Sequence, residues 1–410
     1  MSDSTKWMPS LLAIAAAMAA LVTTPARPAP ILCPGDWKKV ANEGPPGRWG
    51  HRLAYDSARH RIVMFGGTTT ANVRFGDTWE WDGSVWTQVA SEGPSGRANH
   101  GMVFDSGRGK VVLFGGVGTP SDPYRDNDDT WEWDGIAWQD ASDVNKRPVA
   151  RNGNGMAYDI FRQKAVLFGG GITFGGRLDD TWTRGPDWRS RPMAGGPGER
   201  IPCTGMAFDR EHRVVVQYSA TEFCSEPGTW TWNGGTWSQA SGAQPSLRFC
   251  AGLAYDSARH QTVLYGGNDC QGSGPSDTWE WDGADWQQVA TKGPGVRSTG
   301  PSLAYDRDLG KVVLFGGAGE HSNEMTDTWV WSGPTYRCDV LMAGDINCDG
   351  VVDIDDRKIV DTGQGHAACA PDDTRDLDGD GRITSADKAV LVGLCTYADC
   401  KRGAGEADQD

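Results

Sequence analysis

The chain has 410 residues, a formal net charge of −15 at pH 7 and 19 tryptophans. This acidic balance argues against a nucleic acid or an anionic membrane as a partner, because both would repel the protein. A hydrophobic content of 38% is enough for a large core and is not typical of a disordered chain.

The N-terminal segment has the features of a secretory signal. Lys6 precedes an apolar run from Leu11 to Val22, and Thr24-Pro25-Ala26 then offers small residues for cleavage. The run is too short to span a bilayer, so we predict a signal peptide over residues 1–26 and a secreted or cell-surface protein. A retained single-pass anchor is the alternative. We expect no membrane span after cleavage, because no other segment is long and apolar enough.

Six segments of about 50 residues then repeat one template. Each contains an aromatic residue followed by Asp, an apolar run that ends in Gly-Gly in five segments, and a Thr-Trp pair. Five segments close with a further tryptophan. The recurring aspartates are Asp56, Asp105, Asp159, Asp209, Asp256 and Asp306, the Thr-Trp tryptophans are Trp79, Trp131, Trp182, Trp230, Trp279 and Trp329, and the closing tryptophans are Trp86, Trp138, Trp188, Trp237 and Trp286.

This repeat predicts a ring of four-stranded sheets. Each segment holds four short runs rich in Val, Phe, Tyr and Trp, divided by Gly, Asp-Gly and Ser, as in antiparallel strands. One such sheet cannot bury both faces, whereas a closed ring can. With their Gly-Gly doublets and spaced aromatics, residues 33–338 resemble a kelch-repeat β-propeller, related to galactose oxidase. The resemblance implies an all-β six-bladed propeller, a fold that serves both binding proteins and enzymes.

The two ends of this region predict how the ring closes. Asp36–Val40 resembles Val85–Val89, the fourth strand of the first segment, and the sixth segment supplies only three strands up to Trp331. We therefore predict that Trp37–Val40 completes the sixth blade as its outer strand. In the competing interpretation, Thr335–Arg337 is the last strand and Trp37 only covers the blade.

The ten cysteines are even in number, which favours disulfides in an exported protein. Equivalent positions in neighbouring blades suggest Cys203–Cys224 and Cys250–Cys270, and ring closure suggests Cys33–Cys338. A Cys348–Cys369 bridge is a further hypothesis, and Cys395 and Cys400 complete the set. The sequence leaves the pairing of the cysteines open.

One arginine stands before the inner strand of every segment, and five segments carry a matching aspartate. In a closed ring, the arginines could surround one mouth of the central channel and capture an anionic group such as a uronate. Bridging between blades by arginine and aspartate is the favoured interpretation, because a residue needed in every blade is usually architectural. Segment four has Gly228 in place of the aspartate and Tyr218-Ser219 in place of Gly-Gly, which predicts an irregular blade. The sets are Arg48, Arg97, Arg151, Arg200, Arg248 and Arg297, with Asp77, Asp129, Asp180, Asp277 and Asp327.

The tryptophan pairs and the loops call for different interpretations. Trp79 and Trp81 are two residues apart in one strand, so their rings share a side that we expect to be core between blades. Ligand contacts fit better in the loops after the Gly-Gly position, which differ in length and composition. Useful side chains there are Tyr124, Arg125, Phe174, Arg177, Glu222, Phe223 and His321.

Two acidic stretches near the C-terminus have the spacing of calcium loops. Oxygen side chains stand at positions 1, 3, 5, 9 and 12, and Gly350 and Gly381 stand at position 6, where the chain must turn around an ion. We predict two calcium ions. The predicted ligands are Asp345, Asn347, Asp349, Val351, Asp353 and Asp356 in the first loop, and Asp376, Asp378, Asp380, Arg382, Thr384 and Asp387 in the second.

Residues 339–400 resemble a type I dockerin, a small α-helical domain in which each calcium loop is followed by a short helix. The resemblance implies a possible cohesin-like partner. Loop positions 10 and 11 help that family to select its partner, and here they are Ile354-Asp355 and Ser385-Ala386, which departs from the usual Ser-Thr-like pair. Residues 401–410 show no apolar pattern and are predicted to be a disordered tail.

Two functions remain open from the sequence. The favoured one is a noncatalytic binding protein with a glycan or protein on the propeller loops. The alternative is an extracellular carbohydrate-active enzyme, either a glycoside hydrolase or an oxidase in polysaccharide catabolism. His51 and His100 occupy equivalent positions, but no constellation of two histidines, tyrosines and a free cysteine is legible for a copper site, and no carboxylate pair is marked by a motif.

Overall fold

The computed structural model describes residues 31–33, 35–119, 121–192, 196–199, 203, 205–220, 227–269, 274–319 and 323–337. The chain divides into two units, Pro34–Thr335 on the one hand and Met1–Cys33 with Tyr336–Asp410 on the other. The described residues form six four-stranded antiparallel sheets and one two-stranded sheet. A helix long and apolar enough for a bilayer is absent from this described part.

The first three blades follow one another along the chain, each built from four consecutive strands. Every inner strand has five residues, and the second strand pairs with it over its whole length. The strands are β3 (Arg52–Asp56), β4 (Arg61–Phe65), β5 (Thr78–Trp81) and β6 (Trp86–Ala90); β7 (Gly101–Asp105), β8 (Lys110–Phe114), β9 (Thr130–Trp133) and β10 (Trp138–Asp140); and β11 (Gly155–Asp159), β12 (Lys164–Phe168), β13 (Thr181–Arg184) and β14 (Trp188–Arg191).

The last three blades repeat this order, except that the sixth takes its outer strand from the other end of the chain. A separate two-stranded sheet pairs β1 (Ile31–Cys33) with β26 (Thr335–Arg337). The strands are β15 (Gly205–Asp209), β16 (Val214–Ala220), β17 (Pro227–Trp232) and β18 (Trp237–Gln239); β19 (Gly252–Asp256), β20 (Gln261–Tyr265), β21 (Thr278–Trp281) and β22 (Trp286–Ala290); and β23 (Ser302–Asp306), β24 (Lys311–Phe315), β25 (Thr328–Ser332) and β2 (Asp36–Ala41).

The inner strands lie side by side around a central channel, and β23 returns to β3. Apolar side chains fill the spaces between neighbouring blades. The space between blades six and one, for example, holds Ile62 and Met64 with Val313 and Phe315, all completely buried. The predicted all-β six-bladed propeller is therefore confirmed, because each blade buries its faces against the next one.

The predicted closure by the N-terminal strand is also confirmed. Trp37 lies opposite Trp331 in the register of β2 with β25, so β2 is the outer strand of blade six. The Trp37 Nε1 donates a 2.8 Å hydrogen bond to Thr278 Oγ1 in the preceding blade. The closing tryptophan of every other blade likewise donates to a threonine hydroxyl of the blade before it. These bonds are Trp86 to Thr328, Trp138 to Thr78, Trp188 to Thr130, Trp237 to Thr181 and Trp286 to Thr229. Thr335–Arg337 pairs with β1, so the competing interpretation is wrong.

The tryptophan pairs lie in the core as predicted. Trp81 is completely buried between blades six and one, and the partly buried Trp79 packs against the same cluster. Their shared side follows from the two-residue periodicity of a strand. The completely buried Trp81 ring is therefore not available to stack on a ligand.

Blade four differs from the others as its sequence predicts. Its second and third strands continue to the pairs Ser219–Gly228 and Ala220–Pro227, where the other blades leave the sheet. Elsewhere the Gly-Gly doublet takes positive φ angles, 71° at Gly66 and 100° at Gly67, and so ends the strand. Tyr218 and Ser219 do not favour that conformation, and the strand runs on.

Candidate ligand-binding loop face

One end of the ring carries the start of every inner strand and the loops after the Gly-Gly doublets, and we call it the loop face. Isolated bridges connect the two features: Trp49 pairs with Thr68 in blade one and Ala98 with Val117 in blade two. The opposite end carries the tight turns between the first two and the last two strands of each blade. The variable loops therefore surround the channel at one end of a rigid scaffold, where ligand contacts commonly occur.

The channel is narrowed at the loop face by six residues that we call the mouth ring. Each lies six positions before the recurring aspartate, and each has a positive φ between 51° and 89°. Backbone N–H groups donate around the ring from blade to blade, with Asn99 N to Gly50 O at 2.7 Å and Gly153 N to Asn99 O at 2.7 Å. The mouth ring consists of Gly50, Asn99, Gly153, Cys203, Cys250 and Gly300.

The disulfide between blades four and five belongs to this ring. Cys203 and Cys250 are bonded to each other, with their Cα atoms 4.7 Å apart. The predicted pairs Cys203–Cys224 and Cys250–Cys270 are therefore wrong. Equivalent positions of neighbouring blades converge near the axis, so two cysteines at the same repeat position come within bonding distance.

Among the remaining predicted disulfide residues, Cys33 lies in β1. Outside the described residues lie Cys224, Cys270, Cys338, Cys348, Cys369, Cys395 and Cys400.

The recurring arginines are structural, as favoured from the sequence, but the bridge lies within one blade rather than between two. Arg48 is completely buried and donates to both carboxylate oxygens of Asp77, at 2.6 and 2.9 Å, and to the carbonyl of Gly66 at 2.9 Å. All three residues belong to blade one. The same pairs recur as Arg97–Asp129, Arg151–Asp180, Arg248–Asp277 and Arg297–Asp327, whereas Arg200 lies outside the described residues.

The backbone of these arginines makes the connection between blades. Gly67 N donates to the carbonyl of Arg97 at 2.8 Å, and Gly116 N donates to that of Arg151 at 2.9 Å. Arg97 and Arg151 thus anchor their side chains in their own blades and their carbonyls in the preceding blades. Anion capture by the paired arginines is not supported, because their guanidinium groups already bind carboxylates.

His51 and His100 are completely buried, as Arg48 is. The His51 ring packs edge-on against Phe315 of blade six at 5.4 Å, and the His100 ring packs against Phe65 of blade one at 5.6 Å. Burial lowers the pKa of both imidazoles well below 6.5, with nearby arginines contributing, so both are neutral at physiological pH. They act as spacers between blades.

Two aromatic side chains stand out on the loop face. Phe174, in the loop of blade three, is 93% exposed, and Tyr124, in the loop of blade two, is 50% exposed. Their ring centroids lie 5.9 Å apart with the planes tilted by 57°. We call this pair the aromatic platform. It presents apolar surface to solvent from two different blades.

The loops beneath the aromatic platform are fastened to each other. Asp126 of blade two accepts hydrogen bonds from the Thr173 backbone N–H at 2.6 Å, the Thr173 hydroxyl at 2.8 Å and Asn152 Nδ2 at 2.7 Å. Arg74 of blade one donates through Nη2 to the carbonyl of Pro123 at 3.2 Å. The loops of three consecutive blades therefore hold the residues next to both platform rings in place.

Phe174 also has an unfavourable backbone. Its φ is 58°, in the left-handed region that bulky residues rarely adopt. The strain is about 1–2 kcal/mol, and the exposed ring recovers little of it through burial. Such strain at an exposed aromatic residue points to a function for the ring, because folding alone would favour glycine or asparagine there.

The loops selected from the sequence include both platform residues, but the supporting contacts were not predictable. Asp126, Thr173, Asn152 and Arg74 carry no motif, and their roles depend on loops from different blades meeting. Arg125 and Arg177 belong to the same two loops as the platform. Outside the described residues lie Glu222, Phe223, His321 and every predicted calcium ligand.

Comparison with known proteins agrees with the architecture. The fold and the loop face define a six-bladed β-propeller. A solved structure described as "Structure of YjhT" is similar to this chain, with a TM-score of 0.56 and 13% sequence identity; the match covers 73% of this chain and 99% of that one. At this identity the likeness shows the fold alone. Neither a family model nor a curated protein matches the chain.

Proposed function

We propose that this chain is a secreted, noncatalytic binding protein of the kelch type, whose propeller recognises a glycan on the loop face. The observation that carries the proposal is the aromatic platform, with Phe174 held exposed at a positive φ. A binding role explains why a strained, solvent-exposed phenylalanine occupies a position suited to glycine.

A glycan fits the platform better than a peptide for chemical reasons. Aromatic faces carry partial negative charge, and the C–H groups on one face of a pyranose ring are their natural complement. The two rings are tilted by 57°, so they offer two surfaces to neighbouring sugars of a chain rather than one flat slot. A protein partner would need a larger apolar patch than two rings supply.

Replacing Phe174 with glycine should weaken glycan binding and stabilise the protein at the same time. We expect the dissociation constant to rise about tenfold, because one stacked ring is lost. The free energy of unfolding should rise by about 0.5–1 kcal/mol, because glycine adopts the positive φ without strain. A glycan array on the full-length secreted protein identifies the ligand, and calorimetry with the best oligosaccharide measures affinity.

Phe161→Ala is the matched control, because Phe161 is also an exposed aromatic residue of blade three but lies in a turn at the opposite end. It should leave affinity unchanged, whereas Tyr124→Ala should weaken it. Binding that survives both platform substitutions, or a full array without any glycan hit, would contradict the proposal.

The C-terminal region is proposed to bind two calcium ions and to dock a cohesin-like protein. Support comes from the two loops of the sequence, each with four carboxylates that repel one another without an ion. The surfaces offered to a partner are the segments after the loops, at Arg357–Asp361 and Lys388–Leu394. A region of this size has too little core to be robust alone, so ion binding adds folding energy.

Chelation of calcium should therefore loosen residues 344–395 and leave the propeller intact. Asp356→Ala and Asp387→Ala should each abolish more calcium affinity than Asp345→Ala or Asp376→Ala, because position 12 commonly binds through both oxygens. Hydrogen exchange with and without chelator checks the first expectation, and calcium titration calorimetry of the full-length variants checks the second. A wild-type protein that shows no calcium-dependent heat would contradict the proposal.

A further inference from the structure

The central channel contains a cavity of about 70 Å³ between the inner strands. Leu and Met side chains from all six blades contribute to its lining, because the second residue of every inner strand is Leu or Met. The disulfide of the mouth ring contributes Cys203 and Cys250 to the lining. The six second-position residues are Leu53, Met102, Met156, Met206, Leu253 and Leu303.

Arg52 contributes a charged side chain to this lining. It is the first residue of β3, and the same position in the other inner strands is glycine or serine: Gly101, Gly155, Gly205, Gly252 and Ser302.

The small residues have a steric reason. A Cβ atom on Gly101 would lie 2.4 Å from Asn154 Nδ2, and one on Gly205 would lie 2.5 Å from Leu253 Cδ1. The position therefore points at the next blade, where most blades have no room for a side chain. Blade one places the longest cationic side chain there.

This cation has no carboxylate partner within the described part of the chain. The hydrogen bond of Arg52 is from Nη1 to the carbonyl of its neighbour His51, at 3.2 Å. The nearby arginines differ, because Arg48 and Arg97 each bind a carboxylate, that of Asp77 and of Asp129 respectively.

The acidic groups of β3 and its neighbours lie at the far end of the channel. Asp56 ends the same strand four residues away, about 13 Å along a strand. Its oxygens accept from the Ala58 N–H at 2.9 Å and from Arg59 Nε at 2.8 Å. His51 and His100, which flank Arg52, are neutral. Burial lowers the pKa of the Arg52 guanidinium to about 10, which still leaves it charged at neutral pH.

We propose that the channel is an anion site, in which Arg52 binds a small monovalent anion of the size of a halide, nitrate or formate. Arg52 is half-buried in this lining and has no carboxylate partner among the described residues, so an anion within hydrogen-bonding distance supplies the missing counter-charge. The size limit follows from the cavity, since 70 Å³ is room for a few water-sized groups and too small for a sugar. The site is separate from the aromatic platform and does not depend on the glycan proposal.

Bromide tests the site, because it is monovalent, small and visible by anomalous scattering. The full-length protein is melted in increasing bromide with gluconate as the balancing anion, so that ionic strength stays constant. We expect a saturable rise in melting temperature of about 2–4 °C, since an anion that binds only the folded state stabilises it. A bromide-soaked crystal should show an anomalous peak beside the Arg52 guanidinium.

Arg52→Gly introduces the residue that four other blades carry at this position, so it is compatible with the fold. It should abolish both the saturable rise and the anomalous peak. Arg61→Gln is the matched control, because Arg61 also donates to the carbonyl of its preceding residue, at 2.9 Å, but does not line the cavity; it should keep both signals. A bromide response that is unchanged in Arg52→Gly, or a wild-type crystal without bromide at Arg52, would overturn the proposal.

Discussion

Replacing Trp37 with alanine is expected to lower the free energy of unfolding by about 3–5 kcal/mol, as for other buried tryptophans. Trp37 is 6% exposed, packs against Tyr265 and Trp331, and donates a buried hydrogen bond to Thr278. Its loss leaves a cavity between blades five and six and an unpaired hydroxyl. Chemical denaturation with tryptophan fluorescence measures the change.

Two variants make this prediction specific to ring closure. Trp86→Ala removes the same residue from blade one, where all four strands are contiguous in the chain, and should have a similar effect. Lys38→Ala changes the exposed neighbour in β2 and should change stability by less than about 0.5 kcal/mol. If Trp37→Ala had as small an effect as Lys38→Ala, β2 would not be an integral strand of blade six.

Deletion of residues 33–40 should have a larger consequence than either substitution. It removes most of β2 and leaves β25 as an open edge with unpaired backbone groups. Open edges pair with other chains, so we expect aggregation that static light scattering detects at concentrations where the wild type stays monodisperse.

Replacing Asp77 with alanine is the second substitution expected to be severe, at about 3–5 kcal/mol. Arg48 would remain completely buried without its counter-charge, and the Trp79 Nε1 that donates to Asp77 at 2.7 Å would lose its acceptor. Glu92→Ala removes the same charge from an exposed position and should be nearly neutral. Equal stability of the two variants would show that the buried pair is not required.

The same pairs predict the response to acid. Burial alone would raise the pKa of the Asp77 carboxyl, but the hydrogen bonds and charge of Arg48 outweigh it and hold the pKa below 3.8. The corresponding carboxyls of Asp129, Asp180, Asp277 and Asp327 are shifted in the same direction. A lowered folded-state pKa gives stability that is present above about pH 4 and is lost as pH falls further. Asp77→Asn should reduce the loss of stability as the pH falls below about 4. The measurement is the free energy of unfolding as a function of pH.

The architecture was predictable because it repeats. A single blade template, written six times with one orphan strand at Trp37, allows only a ring whose ends meet, since a blade cannot bury its faces alone. The same logic predicted that the tryptophan pairs are core and that the recurring arginines are structural. The irregular fourth blade was legible from Tyr218-Ser219, because a missing Gly-Gly doublet removes the positive φ angles that end the strand.

The sequence by itself determined the number of blades, the closing strand and which residues form the core, because local periodicity and burial set them. Only the tertiary structure decided which residues of different blades meet. Three features depend on neighbours about 50 residues apart or more: the Cys203–Cys250 bond, the support of the aromatic platform by Asp126, and the place of Arg52 in the lining of the channel cavity. Repeats specify that equivalent positions converge near the axis, but the individual residues that break the repeat acquire their roles only when the blades are packed together.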